Sequence, residues 1–422
     1  MPRARLPFHY FLLLSALSLF APLVARAEDA ASYQPRLPTG LLEGAYISRI
    51  DGSLQPYRLF IPSYAAQPTA RPKSPHFRSE GDYSPSPATS GDERKRLPLV
   101  VMLHGYAPNL TLTNWMNISP KMALALEKAG LAMLLTFGRS NTDFLGIGEV
   151  DTFDAIEDAA GRYPIDRNRL YLAGYSMGGS GVWTTLCHYP GVFASGAVFC
   201  GRTDFYLWQN LDRETVPPYL RLLIDTDNPM DLAENLCRVP LYVSHARDDL
   251  IVKCEQTELM VERLNALGRE APLIVNLPDK GDHVGLFQEL EDPETYRRML
   301  KYSLDPLPEE VEIATFTPKY GANAWLRICE MREWGKRAHV KARLLPPSPG
   351  AHVLIQIETL ENVAALGLNV HRLPALERQA RPTGEATGGK KPLEVQFPEG
   401  WRCRYTWGGP TGVRLDLYRE EE

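Results

Sequence analysis

The sequence predicts an α/β fold, in which a mostly parallel sheet has helices on both faces, followed by a C-terminal antiparallel β domain. Within residues 97–306, short segments that are apolar throughout alternate with helical patterns, which is typical of strands covered by helices on both faces. Beyond Pro308, apolar and polar residues alternate with period two, as in strands with one buried and one exposed face. The chain of 422 residues is long enough for each part to bury a core.

The predicted elements of the first part lie in short, well-separated segments. The strands are predicted at residues 97–103, 131–135, 169–173, 196–199, 241–243 and 273–275. Two helices are predicted between them, at residues 151–163 and 177–189. In the β domain the alternating segments are 340–344, 393–397 and 413–417, and residues 375–392, rich in Gly, Pro and charge, are predicted to form a long loop.

The N-terminal segment has the three parts of a secretory signal peptide. Arg3 and Arg5 precede an apolar run over residues 8–24, and small residues precede an expected cleavage after Ala27. An uncleaved membrane anchor is the alternative, but the run is shorter than the roughly 20 apolar residues that span a bilayer. The sequence therefore predicts a signal peptide at residues 1–27 and a secreted or periplasmic protein without a stable membrane anchor.

The sequence after the signal divides into three regions. Residues 28–96 are predicted to form an N-terminal hairpin and a Pro-rich flexible segment, because residues 64–96 combine prolines with polar residues and show no period. The α/β domain is predicted at residues 97–306 and the β domain at residues 307–422. A net charge of −5 without a basic cluster gives no reason to expect a nucleic-acid partner.

Cysteine spacing leaves the disulfide pattern open. None of the six cysteines lies in a spacing typical of a metal site, and an oxidising compartment permits several pairings. A bridge within the β domain would join Cys329 and Cys403, which lie in strand-like segments there. Two free buried thiols are the alternative.

A glycine-flanked serine carries the strongest functional signal. Gly174-Tyr175-Ser176-Met177-Gly178 directly follows a predicted strand and precedes a predicted helix. A nucleophile on a sharp strand-to-helix turn needs small neighbours, because the backbone approaches itself closely there. A chance occurrence of the pentapeptide is the alternative, and the flanking strand and helix argue against it. The sequence therefore predicts Ser176 as a nucleophile.

A serine hydroxyl needs a base to take its proton and a third group to hold that base. Asp249 lies on the loop that follows the apolar run at residues 239–243, and His283 lies between glycines on the loop after the next strand. Both loops leave the carboxyl ends of strands, where the serine turn also lies. The other histidines fall in the signal, the Pro-rich segment or the β domain, precede the required aspartate, or end the helix after Ser176. His283 is therefore the predicted base, and Asp249 is the residue that orients it.

Two backbone N–H groups are needed to stabilise an oxyanion during acyl transfer. Met177, directly after the nucleophile, supplies the first. The loop after the strand at residues 97–103 offers the second, which is predicted to be the amide of Tyr106.

Substrate contacts are predicted for one residue of the serine turn and for the insertion at residues 201–237, since loops at this edge of an open sheet line the crevice. Core packing within a small lid is an equally good interpretation of the aromatic residues of the insertion. The predicted substrate-binding residues are Tyr175, Phe205, Tyr206 and Trp208.

A set of motifs in chain order is shared with a known family: residues 103–106, 149–151, 163–166, 169–179, 183, 193–194 and His245-x-x-x-Asp249-x-x-Val252. By these motifs, residues 97–305 resemble the bacterial prolyl-oligopeptidase-like and esterase branch of the α/β-hydrolase superfamily. The family usually has glycine after the histidine of the last motif, where this chain has Ala246. The resemblance implies the α/β-hydrolase fold, and the motif spacing selects Asp249 rather than Asp248 as the partner of the base.

The predicted function is that of a secreted serine hydrolase, which cleaves carboxylic esters through an acyl-enzyme and needs no metal or organic cofactor. Prolyl oligopeptidases carry a β-propeller ahead of the catalytic domain, and residues 28–96 are too few for one. The resemblance therefore implies a small-molecule ester or a short peptide as the substrate. A serine peptidase is the first alternative, and a non-catalytic binding protein on the same fold is a distant one, because all three members of the triad are present. The sequence does not predict the oligomeric state.

Overall fold

An eight-stranded sheet forms the first part of the fold. The computed structural model describes residues 39–66, 96–110, 117–346, 353–369, 372–373, 393–407 and 412–419. The predicted signal peptide, most of the Pro-rich segment and the predicted loop at residues 375–392 lie outside these residues. The strands of the sheet are β1 (Gly40–Ile47), β2 (Leu54–Ile61), β3 (Leu97–Leu103), β4 (Ala132–Thr136), β5 (Ile165–Tyr175), β6 (Ser195–Phe199), β7 (Leu241–Ser244) and β8 (Leu273–Asn276). The helices are α1 (Pro120–Ala129), α2 (Ile147–Arg162), α3 (Met177–His188), α4 (Phe205–Gln209), α5 (Pro218–Asp227), α6 (Glu255–Ala266), α7 (Asp282–Gly285) and α8 (Pro293–Met299).

The strand order of this sheet is β1-β2-β4-β3-β5-β6-β7-β8. The strands from β3 to β8 pair in parallel, while β1 and β2 form an antiparallel hairpin. Every residue of β3, β4, β6 and β7 is buried, as expected for strands covered on both faces. The predicted α/β class is confirmed.

The hairpin of β1 and β2 belongs to the large sheet. Strand β2 pairs antiparallel with β4, with Tyr57 opposite Thr136, and Tyr57, Leu59 and Ile61 are buried in the same core as β3 and β4. Without the hairpin, β4 would present unpaired backbone groups at the edge of the sheet. Within the described residues the sheet therefore includes strands from Gly40 onward, upstream of the predicted start of the α/β domain at residue 97.

Two smaller sheets form the C-terminal part of the chain. Their strands are β9 (Glu310–Thr315), β10 (Ala322–Asn323), β11 (Leu326–Met331), β12 (Ala338–Leu345), β13 (Val353–Glu361), β14 (Val363–Asn369), β15 (Leu393–Gln396), β16 (Trp401–Trp407) and β17 (Gly412–Arg419). The four-stranded sheet has the order β15-β13-β12-β9, and the five-stranded sheet has the order β10-β11-β14-β17-β16. All described pairs are antiparallel except β13 with β15. Val340 and Ile355 of the first sheet share one buried cluster with Leu366 and Leu415 of the second.

The predicted bridge between Cys329 and Cys403 does not form. Cys329 lies on β11 and Cys403 on β16, and both β14 and β17 lie between these strands. Neighbouring strands are about 4.8 Å apart, which puts the two cysteines well beyond the roughly 7 Å between Cα atoms that a disulfide tolerates. All six cysteines fall within the described residues, and each is free.

Asn235 joins helix α3 of the first part to strand β9. Its side-chain amide donates to the carbonyl oxygen of Cys187 in α3 at 2.6 Å and to that of Ala314 in β9 at 2.8 Å. The N–H of Ala314 donates in return to the Asn235 Oδ1 at 2.7 Å. Asn235 is buried, so these bonds form in a region from which water is largely excluded.

A buried charge cluster reinforces the same junction. Glu149 of α2 accepts hydrogen bonds from Tyr189 at 2.7 Å and from Lys319 at 3.1 Å, and its other oxygen lies 2.9 Å from the His188 Nδ1. The ring of Tyr320, which follows β9, stacks on His188 with 3.6 Å between ring centroids. Burial would raise the pKa of Glu149, but His188 and Lys319 outweigh burial and lower that pKa below its usual value. The carboxylate is therefore ionised and fully partnered.

We expect Asn235→Ala to lower the free energy of unfolding by about 2–4 kcal/mol, because it leaves several buried backbone groups without partners. Urea denaturation followed by circular dichroism measures this change. Asn265→Ala is the matched control, since Asn265 is exposed on α6, and surface substitutions of this kind change stability by less than about 0.5 kcal/mol. Equal effects of the two substitutions would contradict the role of Asn235 at the junction.

Candidate active site

Ser176 lies at the turn between β5 and α3, in a backbone conformation that few residues adopt. Its φ is 57° and its ψ is −116°, and its N–H donates to the Phe199 carbonyl at 2.9 Å. A Cβ on Gly174 would lie 2.2 Å from the Gly178 carbonyl oxygen, and a Cβ on Gly178 would lie 2.0 Å from that of Leu103. Both glycines are therefore required by close backbone contact, which is the reason for their spacing around the serine.

A chain of hydrogen bonds connects Ser176, His283 and Asp249. The His283 Nε2 lies 2.8 Å from the Ser176 Oγ, and the His283 Nδ1 lies 2.6 Å from the Asp249 Oδ2. An ionised carboxylate only accepts hydrogen bonds, so the ring proton is on Nδ1. The Nε2 of the neutral ring is then free to accept the serine proton, as general-base catalysis requires.

Asp249 is fully buried as a side chain and depends on its hydrogen bonds to remain ionised. Its Oδ1 accepts from the N–H groups of Ile251 at 2.8 Å and Val252 at 3.0 Å. Burial would raise the pKa of Asp249, but hydrogen bonds from His245, His283 and the Ile251 backbone hold it well below its usual range. The residue is a fixed negative charge beneath the His283 ring.

Asp248 makes different contacts from its neighbour. Its Oδ1 accepts the N–H of Asp282 at 2.9 Å, and its Oδ2 lies 3.6 Å from the Lys280 Nζ. Asp248 thus ties the loop that carries Asp249 to the loop that carries His283, while the His283 Nδ1 is bonded to Asp249.

The two predicted oxyanion donors belong to helix α3 and to the loop after β3. Met177 is the first residue of α3, where the N–H groups have no acceptor within the helix. Tyr106 lies on the loop after β3, and its side chain is exposed. That loop is supported by His104, whose buried ring lies 2.9 Å from the Gly105 carbonyl oxygen and 3.0 Å from that of Phe137. The oxyanion role of both amides stays a prediction.

The predicted substrate-binding residues occupy different environments. Phe205 and Tyr206 are buried in a small core that belongs to the insertion, and the Tyr206 hydroxyl donates to Asp225 at 2.7 Å. This burial favours the interpretation that they pack the core of the insertion, and their substrate contact stays a prediction. Trp208 is 42% exposed. The Arg202 guanidinium lies over its ring, with 4.9 Å between the guanidinium carbon and the ring centroid. The substrate contact of Trp208 stays a prediction.

Tyr175 contacts the loop of the base directly. Its hydroxyl donates to the His283 carbonyl oxygen, and its ring centroid lies 5.4 Å from that of His283. It also lines a cavity of about 30 Å³, together with Gly105, Met102, Leu135 and Phe287 among others. A small, mostly apolar cavity therefore lies between the predicted oxyanion loop and the serine turn.

Two further residues at the site carry no sequence signal of their own. Arg202, on the loop after β6, pairs with Asp143 and donates to the Ser180 Oγ at 3.0 Å. Cys200 places a thiol within 4.8 Å of ligand atoms of Asp249 and His283. Burial raises the pKa of the Cys200 thiol, whereas metal coordination needs a thiolate. This cluster therefore fits the hydrogen-bonded triad better than it fits a metal ion.

The central part of the chain is similar to a known protein family. Residues 148–308 match the model of the prolyl oligopeptidase family. The matched region contains Ser176, Asp249 and His283, and the match confirms the resemblance predicted from the sequence motifs. The chain therefore has a serine hydrolase fold of the esterase and peptidase type.

One curated relative and several solved structures are also similar to the chain. An uncharacterized secreted protein of Arthroderma benhamiae is 29% identical over 103 residues, which cover 23% of this chain and 11% of that protein. A thermostable esterase is 20% identical, with a TM-score of 0.43 over 62% of this chain and 63% of its own. The S-formylglutathione hydrolase of Staphylococcus aureus is 16% identical, with a TM-score of 0.44 over 63% of this chain and 100% of its own. The acylaminoacyl peptidase of Pyrococcus horikoshii is 16% identical, with a TM-score of 0.43 over 63% of this chain and 41% of its own.

Proposed function

We propose that this protein is an active serine hydrolase that cleaves carboxylic esters. The observation that carries the proposal is the hydrogen-bond chain from the Ser176 Oγ through His283 to Asp249, with distances of 2.8 Å and 2.6 Å. The three side chains lie at the same edge of the sheet, after β5, β7 and β8. This arrangement supports nucleophilic catalysis by Ser176, with His283 as general base and Asp249 as its orienting partner.

The reaction follows from the positions of the donors and acceptors. His283 takes the Ser176 proton on Nε2 as the Oγ attacks the ester carbonyl, and the N–H groups of Met177 and Tyr106 stabilise the oxyanion. His283 then gives the proton to the departing alcohol, which leaves an acyl group on Ser176. Water deprotonated by His283 attacks the acyl-enzyme, and the acid and Ser176 are released.

The shape and polarity of the site support an ester as the substrate. The cavity beside Gly105 and Tyr175 suits a small apolar acyl group. Large apolar side chains also stand exposed on the loops of the triad, with Leu250 94% and Val284 70% exposed. Val284 follows the residue that protonates the leaving group, so an apolar alcohol would lie against it.

A serine peptidase that acts on short peptides is the second candidate. The description of the family that matches residues 148–308 favours it. An amine leaves far less readily than an alkoxide, so peptide cleavage needs remote contacts that help drive the reacting centre towards its transition state. Arg202 and Trp208 form a cation–π pair on the insertion, and they are the charged and aromatic groups that we propose would supply such contacts.

Export from the cytoplasm is part of the proposal. It is supported by the predicted signal peptide at residues 1–27 and by the similarity to a secreted fungal protein. Among the residues that the structure describes, no helix has the length and apolar character needed to cross a bilayer.

We expect the purified protein to prefer esters to amides. The test compares p-nitrophenyl acetate and butyrate with the p-nitroanilides of alanine and proline dipeptides. We expect kcat/KM of at least about 10⁴ M⁻¹s⁻¹ for the better ester and a value about 100-fold lower or less for the anilides, because the amine is the poorer leaving group. Covalent labelling with a fluorophosphonate, absent in Ser176→Ala, shows that the serine is activated. Anilide cleavage near 10⁴ M⁻¹s⁻¹ that depends on Ser176 would make the peptidase assignment correct.

A further inference from the structure

A second histidine contacts the carboxylate of the triad. His245, at the end of β7, is completely buried as a side chain. Its Nε2 lies 3.3 Å from the Asp249 Oδ2, the same oxygen that accepts from the His283 Nδ1. Asp249 is therefore held between two imidazoles, and the reaction described above uses only one of them.

The hydrogen bonds of His245 define its tautomer. Its Nε2 also lies 2.7 Å from the Val252 carbonyl oxygen. Both neighbours of Nε2 are pure acceptors, so this nitrogen carries the proton and donates. The Nδ1 lies 2.8 Å from the Thr257 Oγ1, and the Thr257 hydroxyl is the donor that a neutral ring requires there.

These contacts account for the spacing of a motif that the triad alone does not explain. Val252 receives the His245 proton at its carbonyl and donates its own N–H to the Asp249 Oδ1 at 3.0 Å. Two hydrogen bonds through Val252 and the 3.3 Å contact between the His245 Nε2 and the Asp249 Oδ2 thus join the histidine, the aspartate and the valine of His245-x-x-x-Asp249-x-x-Val252 in one ring. Loss of His245 would remove the contact to the Asp249 Oδ2, which is the oxygen that also accepts from His283.

We propose that His245 is a positioning residue for catalysis: it fixes the Asp249 carboxylate in the orientation that His283 needs, and Thr257 fixes the tautomer of His245. The inference rests on the proposed function, since it concerns the same triad. The proposed role differs from a purely structural one because the His245 Nε2 and the His283 Nδ1 both contact the same oxygen, Asp249 Oδ2. Removal of that donor therefore changes the charge that His283 faces as well as the shape of the loop.

The closing experiment compares His245→Phe with His245→Gln, using the full chain and the better p-nitrophenyl ester. Phenylalanine keeps the ring volume without a donor, whereas the glutamine amide can donate to both acceptors of the Nε2 proton. We expect His245→Phe to lower kcat about 10- to 100-fold with KM changed less than about twofold, because small errors in the position of catalytic groups cost this much. We expect His245→Gln to retain kcat within about threefold of the wild type.

The pH profile supplies a readout that loss of packing alone would not move. With one donor fewer, Asp249 presents more negative charge to His283, so the acid limb of kcat/KM should move to higher pH in His245→Phe and stay in place in His245→Gln. The other titratable groups that face Asp249 are Tyr175, Cys200, Cys254 and Asp282. Burial raises the pKa of the first three, and backbone hydrogen bonds lower that of Asp282. None of the four changes charge across the acid limb.

Controls separate failure of this inference from failure of the proposed function. His339→Gln, on β12 and bonded to Glu312 at 2.8 Å, should leave kcat unchanged. Thr257→Val should lower kcat in the same direction as His245→Phe but less. Full kcat in a folded His245→Phe protein, or equal losses in the Phe and Gln variants, would overturn the positioning role while Ser176 labelling in the wild type still supported the hydrolase. Absence of that labelling would instead count against the proposed function.

Discussion

Replacement of Ser176 by alanine is expected to lower kcat by about 10⁶-fold, because it removes the nucleophile from a triad whose members act as a unit. His283→Ala should have a similar effect, since it removes the base that lies 2.8 Å from the Ser176 Oγ. The double variant should be no slower than either single variant, because the residual rate comes from the oxyanion site and from binding.

The measurement is kcat for a p-nitrophenyl ester, made alongside circular dichroism to show that the variants fold. Ser195→Ala is the control: it lies on β6 of the same sheet, and its hydroxyl reaches the Met299 carbonyl only at 3.5 Å. It should retain kcat within about twofold of the wild type, as substitutions away from the reacting atoms generally do. Ten per cent residual activity in a folded Ser176→Ala protein would falsify the assignment of the nucleophile.

The second large effect is expected for Asp249→Asn, which should lower kcat about 10⁴-fold. The Asn side-chain N–H can donate a hydrogen bond to the His283 Nδ1, so Nδ1 acts as an acceptor and carries no proton. The ring proton moves to Nε2, where it blocks acceptance of the Ser176 proton. Geometry is preserved, so the loss should appear in kcat while KM stays close to the wild-type value.

Asp248→Asn is the matched control for this substitution. The asparagine Oδ1 can still accept the N–H of Asp282, so the link between the two loops survives. We expect a loss of less than about fivefold in kcat, in the range of substitutions that retain the hydrogen bond. The opposite ranking of the two variants would show that His283 depends on Asp248.

The sequence was most informative where local backbone geometry restricts the choice of residues. The glycines around Ser176 are dictated by contacts of 2.2 Å and 2.0 Å that a Cβ would make, so the turn could be predicted from the pentapeptide together with the strand before it and the helix after it. Asp249 and His283 could be predicted because each follows a strand of a parallel sheet, whose carboxyl ends meet at one edge.

Contacts between segments that are distant in the chain could not be predicted from the sequence pattern. The hairpin of β1 and β2 has the same alternation of apolar and polar residues whether it stands alone or pairs with β4 in the sheet. A disulfide between Cys329 and Cys403 is compatible with the sequence and is excluded only by the strand order, in which β14 and β17 separate them. In the sequence, the aromatic residues of the insertion, Phe205 and Tyr206, suit a pocket or a core equally well, and their burial in the structure favours the core.

The bonds of Asn235 and the cluster around Glu149 have a thermodynamic consequence for both parts of the fold. If strand β9 and the residues directly after it left their place, Asn235 would lose its bonds to Ala314. The His188 ring would also lose its stacking on Tyr320, and the ionised Glu149 would lose its bond from Lys319. The free energy of the C-terminal sheets is thereby linked to that of the helix that begins at the nucleophile. The eight-stranded sheet and the two C-terminal sheets should melt as one cooperative unit, and the C-terminal strands raise the energetic cost of opening the active site although none of the triad belongs to them.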